Sequence, residues 1–329
     1  MKKLLSLVLG LILAASLGIL PAAAETIRVG ELVWLNNDEA ARTTYMDHLF
    51  DYLSAEKSPD EEYQAPDVQV VEYENLNSML MGLISGQVDR ITTYFSVGAY
   101  LCEQNEGLEL MLTSPDYAPN ASPALIAALV DTYKGTDFSF LMLDSKTELR
   151  DLFNTAIQSM KDDGKLYDIT QEQITAGIMG EEIVPATIDT IEGADTIKVA
   201  VTGDLPPLDY IAADGTPAGF NTAVLAEISR RIGKNIELVS VDAGGRATAL
   251  ASGAVDVVFW ARVNTPKAEL STQLTDDEVQ TIQYLREIFD SFRNAEDDIP
   301  QGTIYTEPYY HDIFVEVIPE RPEEEQTEE

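Results

Sequence analysis

One pattern, a helix followed by Ser-Gly-x-Val-Asp and then an apolar strand, occurs twice in this chain and constrains its fold more than any other feature. The pattern reads "LNSMLMGLISGQVDRITTYF" at 76–95 and "RATALASGAVDVVFW" at 246–260. Gly86 and Gly253 stand where the C-terminus of a helix favours a residue in the left-handed conformation. The chain therefore contains two copies of one helix-and-strand unit.

Each copy also begins with a short β-branched run and ends with a tyrosine-containing segment. The runs are "TIRVGEL" at 26–32 and "TIKVAVTG" at 196–203, and each is typical of a first strand. The segments are "TSPDY" at 113–117 and "TEPYY" at 306–310. Alternation of strands and helices in each copy predicts an α/β fold of two tandem lobes, each a mostly parallel sheet flanked by helices.

The repeat also sets the predicted domain boundaries. With 329 residues, 45% of them hydrophobic, the chain is long enough for about two domains that fill cores of their own. We expect a first abbreviated lobe at 25–177, a linker at 178–195, a second lobe at 196–318 and an acidic disordered tail at 319–329. An inserted amphipathic helix is predicted at 275–294, and its apolar face either packs within the chain or contacts a partner.

Residues 1–24 have the features of a secretory signal peptide. Two lysines precede an apolar run from Leu4 to Leu20, and Ala22 and Ala24 have the spacing that signal peptidases accept. At about 17 residues, the run is short for a membrane span. Since no cysteine follows it directly, we predict a secreted or extracytoplasmic protein that is not a lipoprotein and has no stable membrane span after cleavage.

Charge and composition exclude several classes of partner and chemistry. Aspartate and glutamate total 57 against 21 lysines and arginines, and the resulting net charge of −36 repels nucleic acid. Cys102 is the only cysteine, so neither an internal disulfide nor a thiolate zinc site can form. The two histidines, His48 and His311, belong to no catalytic or metal-binding motif. We therefore predict no enzyme, no cofactor and no metal.

The second copy resembles a known family. "IKVAVTGDLPPLDYIAADGTPAGFN", "ALASGAVDVVF" and "TEPYY", in this order, look like the first lobe of the extracellular solute-binding proteins of family 3. That family delivers amino acids and similar small polar solutes to ABC transporters. In the first copy the resemblance rests on "SGQVD" and on residues 138–169, which are similar to the family's returning strand and closing helix. The resemblance implies a small polar solute as ligand and an ABC permease as partner.

The chain also departs from the family. Its members close two lobes over a ligand, whereas each copy here looks like a first lobe with its closing lobe deleted or reduced. Members hold a carboxylate with an arginine in a pattern like Thr-Pro-Glu-Arg, because a guanidinium makes two parallel hydrogen bonds to it. This chain has "NTPKAE", so Lys267 and Ala268 stand where the family has glutamate and arginine.

A substitute ligand site is predicted in the second copy, where the C-terminal edge of an open α/β sheet forms a crevice. It combines an aromatic wall with polar groups from the third strand, the segment after it and the first strand-to-helix loop. The six candidate ligand-binding residues are Asp204, Tyr210, Trp260, Arg262, Thr265 and Lys267. In the alternative interpretation, Trp260 packs in the core or between domains and Arg262 is a surface charge.

Two functions from different classes remain. The first is a secreted solute-binding protein for an amino acid or similar small polar solute, which serves ABC transport or sensing. The second is a noncatalytic extracellular interaction or scaffold protein that keeps the fold after losing the ligand pocket. Added small solutes distinguish the two, because a ligand that binds only the folded state stabilises it against unfolding.

Overall fold

The computed structural model describes residues 26–33, 68–111, 122–263, 270–292 and 300–320. They form a mixed α/β fold in which helices flank a central sheet, and this confirms the predicted fold class. The predicted signal peptide, most of the predicted acidic tail and His48 lie outside the described residues.

The main sheet contains ten strands in the described part of the chain, and three short strands form a second sheet. The strands are β1 Ile27–Leu32, β2 Val68–Tyr73, β3 Arg90–Tyr94, β4 Leu108–Met111, β5 Gly135–Leu143, β6 Thr196–Val201, β7 Asp204–Leu205, β8 Asp209–Ile211, β9 Pro217–Ala218, β10 Asn235–Ser240, β11 Val257–Val263, β12 Thr303–Tyr305 and β13 Tyr310–Pro319. The helices are α1 Leu76–Ile84, α2 Phe95–Gln104, α3 Pro123–Lys134, α4 Thr147–Asp162, α5 Lys165–Ile169, α6 Ala176–Ile178, α7 Phe220–Ile232, α8 Arg246–Ala251 and α9 Asp276–Phe292.

The repeated Ser-Gly-x-Val-Asp unit has the same structural role in both copies. Asp89 Oδ2 accepts a hydrogen bond from the backbone N–H of Arg28 at 2.8 Å. Asp256 Oδ2 accepts one from the N–H of Lys198 at 3.0 Å. The glycine three residues before each aspartate has a φ of 71°, in the left-handed region as predicted. The unit therefore ends a helix and ties the strand that follows to the first strand of its copy.

Three parallel strands form the centre of each lobe. In the N-terminal lobe they are β2, β1 and β3, with α1 and α2 packed against them. In the C-terminal lobe they are β10, β6 and β11, with α7 and α8 beside them. This parallel order agrees with the strand-helix-strand units predicted from the sequence.

Two antiparallel strands, β5 and β13, are exchanged between the lobes. Each one adds to the sheet of the lobe that the other half of the chain forms. β5 comes from the first half of the chain but pairs with β11 of the C-terminal lobe. β13 comes from the second half but pairs with β3 and β4 of the N-terminal lobe. The two strands also pair with each other, Tyr310 opposite Phe138, so one strand order runs through both lobes. We call β5 and β13 the crossing strands.

The exchange corrects the prediction of two tandem, self-contained lobes. The limits 25–177 and 196–318 divide the chain, but each lobe takes a strand from the other half. Helix α4, in the first half, packs against α7 of the C-terminal lobe. "Mostly parallel" describes only the three central strands of each lobe, because the crossing strands pair antiparallel with all their neighbours. Each copy was predicted to lack its closing lobe, but the two lobes contact each other directly, so each has the other as its partner.

The inserted helix predicted at 275–294 is present as α9, Asp276–Phe292. A capping box forms at its start, because the N–H of Thr275 donates to Glu278 Oε2 at 2.8 Å and the N–H of Glu278 donates to Thr275 Oγ1 at 3.3 Å. α9 packs against α3, and Arg286 pairs with Asp131 of that helix at 3.3 Å. Of the two alternatives for this helix, packing within the chain is therefore the one observed.

His311 joins the crossing strands to α3. Its Nδ1 lies 2.8 Å from Asp137 Oδ1 on β5, and its Nε2 lies 3.0 Å from Asp131 Oδ1 on α3. The hydrogen bonds to these two carboxylates raise the pKa of His311 to about 9. Since both ring nitrogens face acceptors, the protonated imidazolium is the form that satisfies the site.

We expect His311→Asn to lower the free energy of unfolding by about 1 kcal/mol at pH 6, a value reduced because the side chain is half-exposed. The folded-state pKa is raised, so this contribution is full below the unfolded value near 6.5 and is lost as pH rises through about 9. Urea unfolding at pH 6, 8 and 10 measures the difference between variant and parent. A difference that stays constant up to pH 10 would contradict the assignment.

Candidate functional site

A cleft of about 590 Å³ lies between the two lobes, at the C-terminal ends of β2 and β10. Both strands are parallel to their neighbours, and the loops that follow them lead into α1 and α8. Equivalent edges of the two copies therefore face each other across the cleft. The lining residues are Val33, Glu72, Glu74, Ser240, Val241, Asp242, Gly244 and Gly245.

The lining is acidic. It includes the carboxylates of Glu72 and Glu74 from the N-terminal lobe and Asp242 from the C-terminal lobe, and all three residues are exposed. Among the described lining residues none carries a positive charge. A crevice lined by one sign of charge concentrates counterions of the other sign. The arrangement thus favours a ligand with a cationic group, and Ser240 adds a hydroxyl that donates or accepts a hydrogen bond.

A buried arginine positions the loop on the C-terminal side of the cleft. The guanidinium of Arg246 donates from Nε to the carbonyl oxygen of Ala243 at 3.1 Å and from Nη1 to that of Phe259 at 3.5 Å. Burial lowers the pKa of this group. The contacts tie the loop at Ala243–Gly245 to β11, so the lining residues Gly244 and Gly245 are held against the sheet.

Hydrogen bonds from backbone N–H groups to carboxylates connect the two lobes. Asp204 Oδ2 accepts a hydrogen bond from the N–H of Leu76, the first residue of α1, at 2.8 Å. In the opposite direction, Glu74 Oε2 accepts one from the N–H of Gly244 at 3.2 Å. The carbonyl oxygen of Glu74 also accepts from the N–H of Ala243 at 3.3 Å. The lobes are therefore joined by hydrogen bonds in both directions.

The structure places the six predicted site residues in three locations. Asp204 and Tyr210 are paired across β7 and β8, where burial raises the pKa of both side chains. Trp260 and Arg262 lie on β11, close to the crossing strands. Thr265 and Lys267 lie outside the described residues, as does Ala268, which stands where the family has its arginine. None of the four described residues lines the cleft.

Trp260 is packed between the lobes. Only 3% of it is exposed, and its ring stacks on Phe138 with centroids 3.8 Å apart and lies 5.7 Å from the ring of Tyr94. Its φ of 58° is rare for a bulky residue and falls where the register of β11 shifts between Val258 and Ala261. This position agrees with the alternative interpretation of Trp260 as inter-domain packing.

Arg262 is half-buried rather than a free surface charge. Its guanidinium carbon lies 5.4 Å from the ring centre of Phe314, over the aromatic face. Phe314 belongs to β13 and pairs with Tyr94 of the N-terminal lobe. Arg262 thus contributes a cation–π contact across the crossing strands.

Sequence reasoning missed the carboxylates that do line the cleft. Glu74 and Asp242 both lie in the short loop that follows a second strand and leads into a helix or turn. This shared position is the one signal in the repeat that points to these two carboxylates. Within the described ranges, no three His, Cys, Asp or Glu side chains are placed to hold a metal ion. None of the helices described has the length and apolar character needed to cross a bilayer.

Several solved structures resemble the chain at low similarity. A ligand-binding component of an ABC-type import system from Staphylococcus aureus, solved with zinc, is 8% identical, with a TM-score of 0.38 over 90% of this chain and 66% of that one. The periplasmic aliphatic sulphonate binding protein of Escherichia coli is 11% identical, with a TM-score of 0.32 over 92% and 64%. A sulfate-bound OxyR2 regulatory domain from Vibrio vulnificus is 8% identical, with a TM-score of 0.40 over 94% of each chain.

The chain spans 66% and 64% of the length of the first two of these proteins. No curated protein matches it. Residues 197–285, which include β6 to β11, match the bacterial extracellular solute-binding proteins of family 3. The resemblance predicted from the sequence is thereby confirmed for this part of the C-terminal lobe.

Proposed function

We propose that this protein binds a small polar solute with a cationic group, such as a basic amino acid or a diamine, in the cleft between its lobes. Binding takes place outside the cell and serves ABC transport or sensing, with an ABC permease as the partner in the transport role. The function is a binding function without a chemical step.

The acidic lining of the cleft carries the proposal. Three carboxylates from both lobes face a cleft of about 590 Å³, which lies within the usual size range of small-molecule sites. A solute that contacts Glu72 and Asp242 at once contacts both lobes. The match of residues 197–285 to a solute-binding family supports the same class of function.

Thermal unfolding with a panel of solutes tests the proposal. We expect L-lysine, L-arginine or putrescine to stabilise the protein by about 2.7 kcal/mol at a hundredfold excess over Kd. Succinate and glutarate, which carry two carboxylates and no cationic group, are expected to have no effect, because the carboxylates of the cleft repel them. Calorimetric titration of the most effective solute then gives the Kd.

Two charge-removing variants assign the binding to this cleft. Asp242→Asn and Glu72→Gln are each expected to weaken binding about tenfold, because a hydrogen bond to a charged group contributes about 1.5–3 kcal/mol. Glu237→Gln is the matched control, since Glu237 is exposed on β10 but does not line the cleft. Equal stabilisation by anionic solutes, or equal affinity in all three variants, would contradict the cationic assignment.

The noncatalytic scaffold function is the rival that one observation favours. Trp260, a residue predicted to bind ligand, fills the space between the lobes with other aromatic rings. If no solute in a wider panel of amino acids, peptides, sugars and cations stabilises the protein, the scaffold function is the one retained.

A further inference from the structure

We propose that Asp204 and Glu74 form a latch that holds the two lobes together and that a cationic solute loosens by pairing with Glu74. The latch consists of two hydrogen bonds, Asp204 to the N–H of Leu76 and Glu74 to the N–H of Gly244. The competition with a solute rests on the proposed function, whereas the contact between the lobes is testable without any solute.

The first contact places a negative charge at the start of α1. This helix has nine residues and no acidic residue in its first turn, and its N-cap Asn75 satisfies only the N–H of Ser78. Asp204, from β7 of the C-terminal lobe, accepts from the N–H of Leu76 at 2.8 Å. A carboxylate at a helix N-terminus is stabilised by both the free N–H groups and the helix dipole. The N-terminal lobe thus obtains a helix cap from the opposite lobe.

The second contact runs in the reverse direction. Glu74 of the N-terminal lobe accepts from the N–H of Gly244, in the turn before α8. A Cβ atom at position 244 would lie 2.8 Å from Glu74 Oε2, so the side chain reaches this N–H because residue 244 is a glycine. The Arg246 guanidinium fixes this turn by donating a hydrogen bond to the carbonyl oxygen of Ala243. Each lobe therefore supplies one carboxylate and one N–H donor to the other.

The position of the latch links it to solute binding. Glu74 and Gly244 both line the cleft, so their hydrogen bond lies within the proposed binding site. A cationic group that pairs with Glu74 competes with the Gly244 N–H for the same oxygen atoms. Binding of such a solute is therefore expected to weaken the latch.

Scattering and hydrogen exchange on the ligand-free, full-length chain test the latch. The double variant Asp204→Ala/Glu74→Ala is expected to have a larger radius of gyration than the parent protein. The amides of Leu76 and Gly244 are expected to exchange about tenfold faster, because each loses a charge-assisted hydrogen bond. The control is Asp214→Ala/Glu237→Ala, which removes the same charge and one carboxylate-to-backbone bond, but within a single lobe.

The outcomes separate the latch from the proposed function. A double variant that keeps the parent's circular dichroism, radius of gyration and exchange rates at both amides overturns the latch, whether or not a solute has been found. If the double variant fails to fold, the single variants Asp204→Asn and Glu74→Gln decide by the same two measurements. A control variant with a larger radius of gyration than the parent would also overturn the latch, because loss of charge alone would then explain the change.

Discussion

Replacing Phe138 by alanine is expected to lower the free energy of unfolding by about 3–5 kcal/mol, the usual cost of truncating a fully buried phenylalanine. Phe138 has no exposed surface, stacks on Trp260 at 3.8 Å and lies 4.9 Å from the ring of Tyr94. It lies on β5, between Arg262 of β11 and Tyr310 of β13. Truncation leaves a cavity where the two lobes join, so both lobes lose packing.

Urea unfolding monitored by far-ultraviolet circular dichroism measures this change. Tyr167→Ala serves as the control, since Tyr167 is 68% exposed and its loss is expected to change stability by less than about 0.5 kcal/mol. A single transition in both proteins would show that the lobes unfold together. A loss of less than about 1 kcal/mol for Phe138→Ala would mean that the aromatic contacts between the lobes do not hold the fold.

Acidification from pH 7 to pH 5 is expected to stabilise the protein by about 2–3 kcal/mol through two buried carboxyl groups. Burial raises the pKa of both Asp209 and Asp312 to about 6. Asp209 accepts from the N–H of Gly203 at 2.7 Å, and Asp312 accepts from Ser96 Oγ at 2.6 Å. These hydrogen bonds offset only part of the cost of burying the charge.

The sign follows from proton binding. Between pH 4 and pH 6 the folded state keeps protons on these groups that the unfolded state, with a pKa near 3.9, has released. Stability therefore falls as pH rises through this window. Carboxylates whose pKa is lowered by arginine, such as Asp163 and Glu227, lose their contribution only at more acidic pH.

Urea unfolding at pH 5, 6 and 7 tests this expectation. Asp312→Asn keeps the shape of the side chain and removes its titration, so it should stabilise the protein at pH 7 and reduce the pH dependence by about half. Asp214→Asn is the control, because Asp214 is exposed and its lowered pKa lies outside this window. A pH dependence that is identical in Asp312→Asn and in the parent would contradict the role of the buried group.

The elements that depend on local sequence were predictable. The apolar spacing of α1 predicts one buried face of five residues, Leu76, Met79, Leu80, Leu83 and Ile84. The structure buries Leu76, Met79 and Leu83 and leaves Leu80 partly buried, whereas Ile84 is exposed. The two glycines at the ends of the repeated helices have the predicted left-handed conformation. These features depend on neighbours within a few residues, so a pattern of spacing is enough to find them.

The strand exchange was not predictable in the same way. β5 and β13 are far apart in sequence, and nothing in their composition shows that residues 310–313 pair with residues 135–138. Strand pairing is set by contacts between distant segments, so it follows from the whole fold rather than from local pattern. The duplicated order of elements was correct, but it gave no information about which strand completes which lobe.

The residues that line the cleft could not be predicted, because acidic residues are so common in this chain. In a chain with 57 acidic residues, the carboxylates of Glu72, Glu74 and Asp242 are indistinguishable from solvent-exposed ones until the lobes bring them together. Trp260 and Arg262 were predicted to bind ligand because they lie at the end of a third strand, yet they pack at the junction of the lobes.

The exchange of β5 and β13 also has a consequence for biosynthesis. While a ribosome makes this chain, the free edge of β3 stays unpaired until residues 314–317 emerge, more than two hundred residues later. Exposed strand edges on a nascent chain promote aggregation, and a chaperone that shields them would prevent it. The N-terminal lobe, although made first, is therefore among the last parts of the protein to be completed.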